Sequence, residues 1–162
     1  MKIYVTIFFL ILAVLASSKQ LYMATVFRHG ARYPLNNMYD GKQTAAFHGQ
    51  LTSVGLRQQY LLGNYIQSDY SIKGNLFNST LQTREVEFFA VFDSERCIES
   101  AYGHALGLFP FGNGEKIDSN IDPKLLYPPF ESFLPSHLKS EEAPSDYALE
   151  TGFQPVPIRN GQ

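Results

Sequence analysis

Val26-Phe27-Arg28-His29-Gly30-Ala31-Arg32-Tyr33-Pro34 sets two guanidinium groups and an imidazole within five residues, directly after an apolar run that begins at Leu21. Leu21 to Phe27 alternates poorly and is mostly apolar, which predicts a central parallel strand buried on both faces. Arg28 to Asn37 is then the loop at the C-terminal end of that strand, where open α/β sheets bind their ligands. Gly30 permits close backbone approach there, and Pro34 stops regular structure. The composition of the loop is that of a phosphate site with its own nucleophile. A histidine that attacks phosphorus needs fixed positive charge around it, because the equatorial oxygens of a transferring phosphoryl group stay negative throughout. Arginine supplies that charge at any pH, in a planar fork that fits two oxygens.

Outward from this loop, Leu51 to Ser68 reads as a helix with Thr52 or Ser53 as its cap. Val54, Leu61 and Tyr65, with Leu62 and Ile66 beside them, form its expected buried face, while Gly55 and Gly63 allow close packing. Glu85 to Phe92 resembles a second buried strand. Asp93 or Ser94 then caps a helix to about Leu106, with Ile98, Ala101, Tyr102 and Ala105 at helical spacing. Arg96 falls in its first turn, where free N–H groups and the helix dipole already favour an anion. Beyond Pro110 the chain is rich in proline and glycine and reads as loop, with a further strand expected near Phe153 to Ile158.

The protein has 162 residues, of which 44% are hydrophobic and 17% charged, so an ordinary globular domain is expected. A net charge of -2, with scattered basic residues, argues against a nucleic-acid partner. Met1 and Lys2 precede an almost unbroken apolar run from Ile3 to Ala16, followed by Ser17 and Ser18. That is the pattern of a secretory signal peptide over residues 1–18, and the run is short for a bilayer crossing. No other membrane contact is expected. Asn78-Ser79-Thr80 is an N-glycosylation sequon, which fits the secretory route. Cys97, the single cysteine, cannot form an internal disulfide and reads as a small, buried apolar residue. His48, His104 and His137 carry no motif, and His104, on the apolar-rich helix face, reads as structural.

At RHGARYP the sequence resembles the histidine acid phosphatase branch of the histidine phosphatase superfamily, whose signature is RHGxRxP. LTSVGLRQQYLLGNYI at Leu51 to Ile66 resembles the family's LTxxGxxQxxxLGxxL helix, and FDSERCIESAYGHALGLFP at Phe92 to Pro110 its D-x-x-R-T helix ending in LFP. FQPVPI at Phe153 to Ile158 resembles its WQPIPV segment. The four blocks occur in the family's order. They depart from it at Cys97, where the family has Thr, and at Phe153, where it has Trp.

The resemblance implies that His29 is the nucleophile that becomes phosphohistidine, with Arg28, Arg32 and Arg96 as the phosphate clamp. For His29 to attack through one ring nitrogen, the other should hold its proton against an acceptor such as a backbone carbonyl. The flanking arginines disfavour the imidazolium, so an imidazole that stays neutral into the acid range is expected. The implied fold is α/β in three layers, a central mostly parallel sheet with helices on both faces. Residues 19–162 correspond to the N-terminal part of that catalytic domain. The family's second catalytic histidine and its proton-donating aspartate belong to a C-terminal His-Asp pair, so an incomplete domain is expected here. The implied substrate is a small phosphate monoester, with no metal and no cofactor. The implied location is secreted, lysosomal or vacuolar, and a homodimer is retained as a partner arrangement. A phytase or inositol phosphate phosphatase, and an inactive phosphate-binding fragment, are the alternative readings.

Overall fold

A computed structural model describes residues 21–35, 48–126 and 146–161. The apolar N-terminal run, and so the signal peptide expected over residues 1–18, lies outside the described residues, as does His137. Helix α1 runs Ser53–Ile66 and continues into a π-helical stretch, Gln67–Lys73. Strand β1, Phe88–Ala90, leads to helix α2, Glu95–Leu108, and strand β2 is Ile158–Asn160. The strands pair in parallel, Phe88 opposite Ile158 and Ala90 opposite Asn160. The class is therefore α/β with a parallel sheet, as the sequence predicts.

Local chemistry accounts for the element boundaries. Thr52 caps α1, its Oγ1 accepting from Gly55 N at 3.0 Å. Ser94 takes the N-cap position of α2, but its hydroxyl makes no cap bond. Pro155 and Pro157 have no N–H to give a ladder, so β2 opens at Ile158, later than the apolar pattern suggests. The Gln154 side chain acts in their place: its Oε1 accepts from Leu81 N at 2.7 Å and its Nε2 donates to Ser79 O at 3.3 Å. Glu87 and Arg159, from the two sides of the sheet ladder, form an exposed ion pair.

The two helices cross on glycine. A Cβ on Gly63 would stand 2.1 Å from His104 O, and one on Gly107 would stand 2.1 Å from Tyr60 O, so backbone lies on backbone. The core beside the crossing is Ile66, Phe77, Phe88, Ala105, Leu108, Phe109 and Val156. His104 is buried there at 2% exposure, stacked on Phe27 with ring centroids 4.3 Å apart and edge-on to Phe88. Its structural reading holds, and burial pushes its pKa down to about 4.

The structure corrects several sequence expectations. Leu21 to Phe27 is no strand: it joins no ladder, and Leu21, Tyr22 and Val26 are exposed. An apolar run becomes a strand buried on both faces only with neighbours at its edges and a layer on each side. Here only Met23 and Phe27 turn towards the core and its His104 flank. The expected face of α1 is also rotated. Val54, Leu61, Leu62 and Tyr65 are exposed, and the buried residues are Gly55, Gln59, Gly63 and Ile66. The glycines draw the opposing backbone so close that the seam follows them and excludes bulky side chains. On α2, Ala101 and Ala105 are buried as expected, but Tyr102 is exposed. Finally, the second strand covers three residues rather than eight, with Phe89 pointing outward between buried Phe88 and Ala90.

Candidate functional site

The RHGAR loop is held from two sides. Gly30 is pressed against α1 so tightly that a Cβ on it would stand 2.2 Å from Gly55 O, and one on Gly55 would stand 2.1 Å from Ala31 O. Side chains of α1 and its cap bind the loop backbone. Gln59 Nε2 donates to Arg28 O at 3.0 Å, Ala31 N donates to Gln58 Oε1 at 3.0 Å, and Thr52 Oγ1 donates to Ala31 O at 2.8 Å. From the other side, Gly30 N donates to Ser100 Oγ of α2 at 3.1 Å. The chain then turns back on itself: Arg32 bridges Leu51 in antiparallel fashion, and Tyr33 N donates to Gln50 O at 2.9 Å.

His29 is half-buried, and its Nδ1 lies 2.8 Å from Gly30 O. A carbonyl oxygen can only accept, so Nδ1 carries a proton, and in the neutral ring the lone pair is on Nε2. This is the tautomer that a nucleophilic imidazole requires. Arg28 flanks it, exposed, and Arg32 is half-buried with Nη1 donating to Tyr33 O at 2.9 Å.

Arg96 stands in the first turn of α2, with Nη1 beside Gly49 in the segment that pairs with the loop. Its Nε is buried and has no hydrogen-bond partner. A buried guanidinium N–H left unpaired costs free energy that an anion can recover. Among the described residues no carboxylate forms an ion pair with Arg28, Arg32 or Arg96. The three cations are thus not neutralised by an acidic side chain of that set. No group of acidic, histidine and cysteine side chains with the makeup of a metal site occurs among the described residues.

An apolar cavity of about 630 Å³ lies elsewhere, between Leu56, Tyr102, Phe111, Phe153 and Val156. None of the RHGAR residues lines it, and among the described residues Arg57 is the one charged residue in its mostly apolar lining.

The arrangement therefore sets His29, Arg28 and Arg32 on a loop fixed by two helices, with Arg96 on the second of them. Residues 21–129 match the family described as the histidine phosphatase superfamily, branch 2. The chain belongs to that superfamily. Among curated proteins, this branch 2 histidine phosphatase is 38% identical over 96 residues to the testicular acid phosphatase of Homo sapiens, a span of 55% of this chain and 22% of the relative. It is 32% identical over 123 residues to the prostatic acid phosphatase of Mus musculus, covering 74% and 29%. To the lysosomal acid phosphatase of Xenopus laevis it is 30% identical over 148 residues, covering 88% and 31%. The matched regions thus span between a fifth and a third of the length of these relatives.

Sequence reasoning singled out His29 and the arginines but missed the loop's anchors. Gln58 stands inside the LTxxGxxQ block and could have been found there. Gln59 and Ser100 carry no such signal, because a buried polar side chain in a helix shows its purpose only when its partner is known. Cys97 is half-buried rather than buried, and unpaired.

Proposed function

We propose that this histidine phosphatase hydrolyses phosphate monoesters through a phosphohistidine at His29, with Arg28, Arg32 and Arg96 holding the transferring phosphoryl group. The observation that carries the reading is the His29 Nδ1 to Gly30 O bond, which in the neutral ring leaves the lone pair on Nε2, together with arginines that no carboxylate pairs among the described residues. Nε2 attacks phosphorus, the bond from phosphorus to the ester oxygen breaks, and that oxygen leaves with its electron pair. With an aryl ester the leaving phenolate needs little help from a general acid. Water then attacks the phosphohistidine, returning Nε2 and releasing inorganic phosphate. The arginines stabilise equatorial charge in both steps, worth several kcal/mol in comparable anion clamps. The acid phosphatase names of the relatives support this assignment.

The same reading extends to the route of the protein. Residues 1–18 act as a signal peptide, and the matched region supplies the nucleophile-bearing part of the catalytic domain. Secretion or a lysosomal destination agrees with the names of the relatives. Asn78 is the glycosylation site: it is exposed, and Thr80 N donates to its Oδ1 at 3.0 Å, which presents the sequon on a turn. A mass decrease on glycosidase treatment, absent in Asn78→Gln, tests this.

The central test is chemical. The full chain is incubated with an aryl phosphate, denatured at alkaline pH to preserve the N–P bond, and mapped by mass spectrometry. Phosphate on His29 together with phenol release is the expected result; release of phenol without any phosphate on His29 in a folded protein refutes the mechanism.

A further inference from the structure

The hydrogen bonds from α1 and its cap to the RHGAR loop fix the loop to one helix, while the third arginine of the site, Arg96, rides on the other. Among the described residues one hydrogen bond joins the loop to α2: Gly30 N to Ser100 Oγ, between residues 70 positions apart. Ser100 is 1% exposed and lies four residues after Arg96, one helical turn along the same face. Gly30 is also the residue whose carbonyl accepts from the His29 ring. One glycine therefore holds the imidazole by its C=O and the Arg96 helix by its N–H.

We propose that Ser100 is a positioning residue of this site: by holding the His29–Gly30 peptide its hydroxyl sets where His29 Nε2 stands relative to the Arg96 guanidinium. The inference rests on the phosphohistidine reading above and adds a residue to it. Without the Ser100 hydroxyl the Gly30 N–H is buried and unpaired, and the His29–Gly30 peptide that carries it is no longer tied to α2. That peptide is bonded directly to the His29 Cα, so its shift displaces the imidazole relative to its Nδ1 anchor, the carbonyl of the following peptide. Ester binding, which depends on the arginines, is retained, while the attack geometry is degraded. A misplacement of an ångström in such a site costs on the order of a hundredfold in rate.

The test compares the wild-type full chain with Ser100→Ala and Ser100→Cys, in aryl phosphate turnover, phosphohistidine formation and thermal unfolding. Hydrogen exchange of the Gly30 amide is read in the same proteins. Ser100→Ala is expected to lower kcat by about 10- to 100-fold with KM within about threefold, and to lose Gly30 protection while the α2 amides keep theirs. Ser100→Cys, close in volume and with a weak sulfur acceptor, should fall between the two. A serine that merely fills space would lower the melting temperature and leave kcat per folded molecule unchanged, and that result overturns the proposal. If Ser100→Ala does not fold, Ser100→Cys decides: wild-type kcat in a folded Cys variant that has lost Gly30 protection also overturns it. A wild-type protein that forms no phosphohistidine removes the underlying functional reading, and this proposal with it. That failure is recognised in the wild type alone, before any variant is compared.

Discussion

A single proton decides what His29 is able to do. With Nδ1–H committed to Gly30 O, the ring presents Nε2, and His29→Ala is expected to abolish phosphohistidine and lower turnover by at least roughly a thousandfold. Because His29 makes one backbone hydrogen bond and is half-buried, unfolding by urea should show a stability change within about 1 kcal/mol. Arg96→Lys keeps the charge and loses the fork, so kcat/KM for an aryl phosphate should fall by about 10- to 100-fold, a loss of charge-assisted bonds. His104 sets an acid limit of a different kind. Its folded pKa of about 4 lies below the ordinary value of 6.5, so between these values the unfolded chain binds more protons than the folded one. Stability is then full above about pH 6.5, declines on acidification towards pH 4 and is flat below, a loss on the order of 3 kcal/mol. Melting temperature followed across that range should show the slope in the wild type and a reduced slope in His104→Leu. His29, Arg28 and Arg32 are legible in the sequence because they are nearly contiguous. Ser100 and Gln59 are not, since each acts on a peptide far along the chain.

Between the helices, glycine outweighs helix propensity. Alanine at a helix interior is favoured over glycine by about 1 kcal/mol, yet Gly63→Ala would set a methyl 2.1 Å from His104 O. Overpacking of this kind costs roughly 1–3 kcal/mol or more, so the variant should be less stable in urea denaturation despite its better propensity. Thr52→Ala should cost about 1 kcal/mol by the same measurement, because Thr52 Oγ1 both caps α1 and donates to Ala31 O. The existence of α1 and α2 followed from their periodic apolar residues and caps. The buried face of α1 did not, because a hydrophobic pattern weights Leu61 and Tyr65 above Gly55 and Gly63. Backbone-to-backbone contact has no hydrophobic signature.

Taken as a body, the described residues leave Val26, Leu61, Tyr65 and Phe89 exposed, each more than half. Apolar area of this extent is expected to bind a fluorescent apolar dye when the chain is isolated, and Leu61→Gln with Tyr65→Gln should reduce that signal. Since neither side chain is part of the buried face of α1, the double variant should keep wild-type stability within about 0.5 kcal/mol per substitution. The α/β class, the family, the helix starts and the charged loop all came from short-range order, because caps, turns and periodicity are properties of neighbours in the chain. Which face each helix buries, that Leu21 to Phe27 joins no ladder, and how Ser100 reaches Gly30 depended on segments up to 70 residues apart meeting at backbone distance. Close packing of that kind is a property of the folded surface, and composition does not encode it.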